Sequence, residues 1–277
     1  MKKLTVLLGI ILAVGTLLAA CNKESGATGT DEVVKVGLNG SGVPIWEKVK
    51  EKAAEEGIKI ELVEFSDYVR PNLALAAGDI DLNAFQTVSY FNSFIKERNL
   101  DLEPIATTII APMGIYSEKY KDVKNIPEGS SIALPKEATN MGRALLLLEK
   151  AGLIGLPEDF DGIGSLDKIV ENPKNLKFEP IAAAQTPRVL PDVAASIINN
   201  GVAVEAGFVP VDDAIFIEDE TAQPYINIIA AQSDEADKEV YQKIVDLYQE
   251  EDVAQHIREV FNDSLIPTFV PLEKIGW

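Results

Sequence analysis

A single cysteine and a single histidine among 277 residues narrow the chemistry at once. With Cys21 alone, no disulfide can form within the chain and no CxxC redox or zinc pair exists. With His256 alone, in the run KEVYQKIVDLYQEEDVAQHIREVFN (238–262), a Cys–His or Ser–His–Asp arrangement has one imidazole, remote in sequence from other polar clusters. HExxH and EF-hand spacings are missing, so neither a metal nor a cofactor is expected. GLNGSG (37–42) has glycines at 37, 40 and 42, outside the dinucleotide-loop spacing, and reads as a turn between strand and helix. Basic residues are also scarce: 25 against 44 acidic, a formal charge of −19. Such a surface repels nucleic acid and anionic headgroups, and no basic cluster offsets it. Among 44 acids, pairs such as Asp79/Asp81 and Asp212/Asp213 arise by chance and do not mark general acid–base catalysis. The expectation is a protein that is not an enzyme.

What is present begins at the N-terminus. Two lysines precede an uncharged, mostly apolar stretch, Leu4 to Ala20, which has the charge and length of a secretory signal peptide (1–20). Its last residues, Leu18-Ala19-Ala20, lead into Cys21, and the quartet resembles the lipobox of bacterial lipoproteins, whose cysteine is lipidated. Cys21 is therefore expected to be an attachment point that holds the chain at a membrane without a spanning helix. The Gly/Ser/Thr-containing segment to residue 32 reads as a flexible tether. No later stretch reaches ~18 consecutive apolar residues. About 245 residues remain, enough for one large or two medium domains.

From Val33 the pattern alternates between short β-rich runs and helical ones. Strands are expected at 33–39, 58–65 and 79–85 and an extended run at 102–110, with helices at 45–57, within 68–78 after its proline, and at 89–99. The rhythm restarts with strands at 113–117, 131–135, 176–183, 194–199 and 226–232, a Leu-rich helix at 140–151, and one or two amphipathic helices over 238–262. This alternation predicts α/β layers with mainly parallel sheets. Two such sets suggest two lobes joined by crossing strands, with a cleft suited to a small molecule.

ATNMGRALLLLEKAG (138–152) poses a specific question. Thr139 and Asn140 are candidates to cap the helix, which puts Arg143 in its first turn. The positive end of the helix dipole disfavours a cation there by roughly 0.3–1 kcal/mol. Either the side chain bends away into water, or it shares an anion with the free N–H groups.

Several segments decide between these readings together. FSDYVRPNLALAAGDIDLNAFQTVSYF (65–91), APMGIYS (111–117), ALPKEATNMGRALLLLEKAGLI (133–154), ASIINNGVAVEAG (195–207), PYINIIA (224–230) and the closing GW resemble, in order, the NlpA/MetQ family of methionine-binding lipoproteins. These are the solute receptors of methionine ABC importers. The resemblance implies an α/β, two-lobed periplasmic-binding-protein-like (type II) fold with a ligand cleft between the lobes. Lobe I would comprise 33–110 plus 228–277 and lobe II 111–227.

The resemblance also implies a set of ligand-binding residues. Tyr68 matches the aromatic of the DY-xx-PN segment, and Phe85 and Tyr90 match two further aromatics around the thioether. Asn140 and Arg143 match an N-x-x-R element, Asn199 the asparagine ending a strand, and Asn227 that of the PY-x-N segment. Thr87 stands where family members commonly carry histidine, and Ala84 where an aromatic is frequent. The first departure bears on the ligand's side chain, while the groups for an α-amino acid backbone are kept. In physical terms, a guanidinium can grip a carboxylate with two parallel charge-assisted bonds. Asparagines donate and accept, so they suit carboxylate and ammonium together. Aromatic walls suit a polarizable thioether, at roughly 0.3–1.5 kcal/mol per contact.

The expected function is therefore a lipid-anchored receptor facing outside the cytoplasm. It would deliver an L-amino acid, L-methionine first, to an ABC permease and its ATPase; this chain has no GxxxxGK[ST] loop of its own. The rival expectations are a cell-surface interaction or adhesion lipoprotein on the same fold, or a receptor for another apolar amino acid or a Met-containing peptide.

Overall fold

The structure is a computed structural model that describes residues 33–219 and 223–277. The signal peptide, Cys21 and the tether expected over 1–32 lie outside the described residues. The chain first lays down β1 (Val33–Leu38), α1 (Val43–Glu55), β2 (Lys59–Glu64), α2 (Arg70–Ala77), β3 (Leu82–Thr87), α3 (Val88–Arg98) and β4 (Leu102–Ile110). It then builds β5 (Gly114–Tyr116), β6 (Ser131–Pro135), α4 (Ala138–Lys150), β7 (Lys177–Ile181), β8 (Ala195–Ile198), α5 (Asn200–Glu205), α6 (Pro210–Asp213) and β9 (Phe216–Ile217). It closes with β10 (Ile226–Gln232), α7 (Glu239–Tyr248), α8 (Glu251–Val260) and β11 (Ile266–Pro267).

Two sheets result, in the orders β11-β4-β10-β3-β1-β2 and β7-β6-β8-β5-β9. The chain passes from the first to the second after β4 and returns through β10. The sheets are mixed rather than mainly parallel, which corrects the expectation. β1 runs parallel to β2 and β3, but the returning β10 runs against both β3 and β4. In the second sheet β6 is parallel to β7 and β8, whereas β5 is antiparallel to β8 and β9. Local periodicity identifies a strand but not the direction of the neighbour it will pair with.

Both faces of the first sheet are covered, and β10 shows how. Ile229 and Ala231 face a core shared with α1, α7 and α8, including Trp46, Val49, Ile244 and Ile257. The alternate residues Ile228 and Ala230 face Leu75 of α2 and Phe91 of α3. The second sheet packs on α4 through Ala144, Leu145, Leu147 and Leu148, the spacing of one helix face. Among the described residues no helix is long and apolar enough to cross a membrane.

The helix that raised the Arg143 question begins two residues earlier than expected. Its N-cap is Glu137, Met141 N donates to the Glu137 carbonyl at 2.7 Å, and Thr139 and Asn140 lie inside the first turn. Arg143 therefore sits in the second turn, where the dipole penalty has largely fallen away.

Candidate ligand-binding site

Local devices set the aromatic side. Before α2, the Asp67 carboxylate accepts from the backbone N–H groups of Val69 and Arg70 at 2.8 and 2.9 Å, fixing the loop that carries Tyr68. Thr87 ends β3 and caps α3, its hydroxyl oxygen accepting from Tyr90 N at 3.2 Å. The Tyr90 hydroxyl donates to the Tyr68 carbonyl at 2.7 Å. These bonds hold Tyr68, Phe85 and Tyr90 as a triangle, with ring centroids 6.0, 6.3 and 6.3 Å apart. Burial, with the Glu205 and Glu137 carboxylates nearby, raises the Tyr68 hydroxyl above its ordinary range, and burial does the same for Tyr90. Both are neutral phenols at neutral pH.

A carboxamide cluster joins α2 to β3. Asn72 Oδ1 accepts from Asn83 and Gln86 at 2.8 and 2.7 Å, and Asn72 Nδ2 donates to Gln86 Oε1 at 2.7 Å. All three side chains are buried, and Asn83 and Gln86 flank Phe85 on β3. Asn72→Ala is expected to destabilise the protein by about 1–3 kcal/mol for each amide left unpaired. The urea midpoint checks this, and ligand affinity should fall with it because β3 loses its anchor.

The polar side is built from the second sheet and the crossings. Asn199, at the end of β8, donates through Nδ2 to Asn140 Oδ1 on α4 at 3.2 Å, and its own Oδ1 is buried without a partner. Arg143 is 3% exposed. Its Nε donates to Glu218 Oε1 at 2.8 Å, and its Nη2 to Glu218 Oε2 at 2.5 Å and to the Ala111 carbonyl at 2.9 Å. Glu218 Oε2 also accepts from Met113 N at 2.7 Å. The Tyr225 ring lies 4.2 Å from the guanidinium carbon, and burial pushes the Tyr225 hydroxyl up to about 12, against the opposing effect of Arg143. The two-pronged grip expected for a ligand carboxylate is thus already given to Glu218, because the Nε–Nη2 edge faces the crossing segments. Nη1 is the guanidinium nitrogen without a hydrogen bond among the described residues.

One cavity brings all the expected residues together. Tyr68, Phe85, Thr87, Tyr90, Asn140, Arg143, Asn199 and Asn227 all line it. Thr87 and Asn227 face each other across the β3–β10 pairing. The parts of the chain built on the two sheets meet around this space: Ser41 N donates to Glu205 Oε1 at 3.1 Å, and Asn200 Nδ2 to the Ser264 carbonyl at 3.0 Å. GLNGSG is accordingly a turn whose backbone N–H binds a carboxylate of the chain itself. His256 lies on α8 with Nε2 3.2 Å from the Pro44 carbonyl, away from the cavity lining.

The reading from residues missed Glu218 and Tyr225 as parts of the site. In the sequence Tyr225 stands out only as a member of PYINIIA. Glu218 carried no signal of its own among 44 acidic residues.

A cleft between two α/β sheets, lined by aromatics, asparagines and one arginine, has the architecture of a two-lobed solute-binding protein. Solved structures share it. A nutrient-binding protein from Burkholderia cenocepacia bound to methionine superposes with a TM-score of 0.83 at 39% identity, covering 85% of this chain and 100% of that one. Protein PG110 from Staphylococcus aureus gives 0.85 at 41% identity, over 87% and 96% of the two chains. The D-methionine-binding lipoprotein MetQ of Salmonella typhimurium is 44% identical over 227 residues, 79% of this chain and 82% of the relative. The NlpA lipoprotein family model matches residues 34–269, and the chain belongs to that family.

Proposed function

We propose that this chain is a lipid-anchored solute-binding protein of a methionine-type ABC importer, holding free L-methionine between two lobes and passing it to the permease. The observation that carries the reading is the convergence on one cavity of eight residues from five separate stretches of the chain, three aromatics for a thioether, four polar residues for an amino-acid backbone, and Thr87. The ligand carboxylate meets Arg143 through Nη1, with Asn140 beside it. The ammonium meets carboxamide oxygens, of which the buried Asn199 Oδ1 awaits a donor. The methylthio group lies against the wall formed by Tyr68, Phe85 and Tyr90. Thr87 keeps a hydroxyl proton to donate after its oxygen has capped α3.

In this proposal the lobes comprise 33–110 with 228–277, and 111–227. Ligand contacts on both favour the closed form, and that differential affinity biases docking to the permease and its ATPase. The energy of transport comes from the ATPase. Cys21 carries the lipid that holds the receptor outside the cytoplasm, and residues 22–32 give it reach. The relatives are named for D-methionine and for methionine, which supports the methionine side chain and leaves the choice of enantiomer to the melting series, run with both.

A melting series tests it. The purified full-length protein, freed of bound ligand by unfolding and refolding, is heated with each amino acid, methionine sulfoxide and Met-containing dipeptides. A ligand at 100 times its Kd should stabilise by about 2.7 kcal/mol, with L-methionine giving the largest shift. A shift only with another amino acid or a peptide replaces the ligand and keeps the receptor, with Thr87 the first residue to exchange. No shift with any of them favours the surface-interaction reading.

A further inference from the structure

Among the described residues lining the cavity, Arg143 is the only one with a charged side chain. Its charge is answered from behind by Glu218, which does not line the cavity. Glu218 is held in place by three bonds from the guanidinium and one from Met113 N. The pair is deep, with side chains 3% and 11% exposed. At such depth a carboxylate is weakly screened, and it acts on whatever occupies the space beyond the guanidinium.

We infer that Glu218 is the residue that makes this site selective for a net-neutral zwitterion, by cancelling the charge of Arg143. The inference rests on the amino-acid receptor reading. A ligand with a carboxylate but no ammonium would bring net −1 into a site that is already neutral, with Glu137 and Glu205 adding negative potential at Tyr68. A ligand with an ammonium but no carboxylate would leave Nη1 of Arg143 facing a cation. Only a zwitterion matches both, its ammonium drawn by Glu218 and its carboxylate by Arg143. Glu218 also fixes which edge of the guanidinium faces the cavity, so it acts through Arg143 as a positioning residue.

The test compares L-methionine with its desamino analogue 4-(methylthio)butanoate and its decarboxylated analogue 3-(methylthio)propylamine. Calorimetric titration uses full-length wild type, Glu218→Gln and Glu218→Asp. The wild type should favour L-methionine over both analogues by more than about tenfold, since a charge several ångströms away at an effective dielectric near 20 is worth at least that. Glu218→Gln should narrow the ratio between L-methionine and the desamino anion by on the order of tenfold. Glu218→Asp, which keeps the charge, should retain the wild-type ratio. Equal losses for both ligands in Glu218→Gln would overturn the inference, because a purely structural role moves both together. If Glu218→Gln does not fold, the wild-type comparison decides: equal affinity for anion and zwitterion overturns it. Wild type that binds L-methionine with no preference sinks this inference alone; wild type that binds no amino acid removes the receptor reading and the inference with it.

Discussion

Arg143→Ala should weaken L-methionine binding by roughly 10- to 200-fold, the value of a lost charge-assisted hydrogen bond of about 1.5–3 kcal/mol. It should also lower stability in the absence of ligand by about 3–5 kcal/mol, because Glu218 is left as a buried charge without its cation. The two effects have separate readouts, a titration and a urea midpoint. They also have separate rescues. Arg143→Ala combined with Glu218→Ala should recover much of the stability, since both charges leave together, while affinity stays low. Recovery of affinity in the double variant would mean that Arg143 serves the fold and not the ligand. Arg143→Lys should restore little affinity, since a lysine ammonium cannot engage Glu218 with two prongs and keep a further N–H on the same plane for the cavity.

Gly142→Ala should destabilise the protein although it places a better helix former inside α4. Helix propensity alone favours alanine by about 1 kcal/mol. The added Cβ would stand 2.0 Å from the Gly162 carbonyl oxygen and 2.5 Å from its carbon. Those are backbone atoms that no rotamer change can move. Overpacking of this kind typically costs about 1–3 kcal/mol, and a backbone clash this close takes the upper end of that range, so after the propensity gain the balance is a net loss of up to roughly 2 kcal/mol. The displaced loop is the one whose Gly162 lies against the Tyr225 hydroxyl. Tyr225 in turn covers the Arg143 guanidinium. Ligand affinity should therefore fall together with the urea midpoint, and a neutral or stabilising outcome would contradict the packing described for α4.

The strands β4, β6 and β10 could be read from the sequence to the residue, because a Pro, Gly, Ser or charged residue stands within two positions of each end and apolar residues fill most of the run. The start of α4 could not. Glu137 caps it without a side-chain hydrogen bond, so nothing in residue type marked it over Thr139 or Asn140. Nor could α5, whose six residues are too few to show a helical period. Strand direction was hidden for a related reason, since β10 acquires its antiparallel partners only when the chain recrosses. The eight cavity residues are legible through the order of their segments along the chain, not through local chemistry. Taken singly, each has an ordinary role, as Thr87 shows by also capping α3. Glu218 lay beyond that reach, because its meaning comes from β9 ending against α4, 75 residues from Arg143.

The most direct measurement is a crystal structure of the full-length protein, stripped by unfolding and refolding and then crystallised with L-methionine. The account predicts the amino acid in the cavity between the two sheets. Its carboxylate should lie at hydrogen-bond distance from Nη1 of Arg143, its sulfur among Tyr68, Phe85 and Tyr90, and the Arg143–Glu218 pair should remain intact. An empty cavity, or methionine with its carboxylate directed away from Arg143, would contradict it.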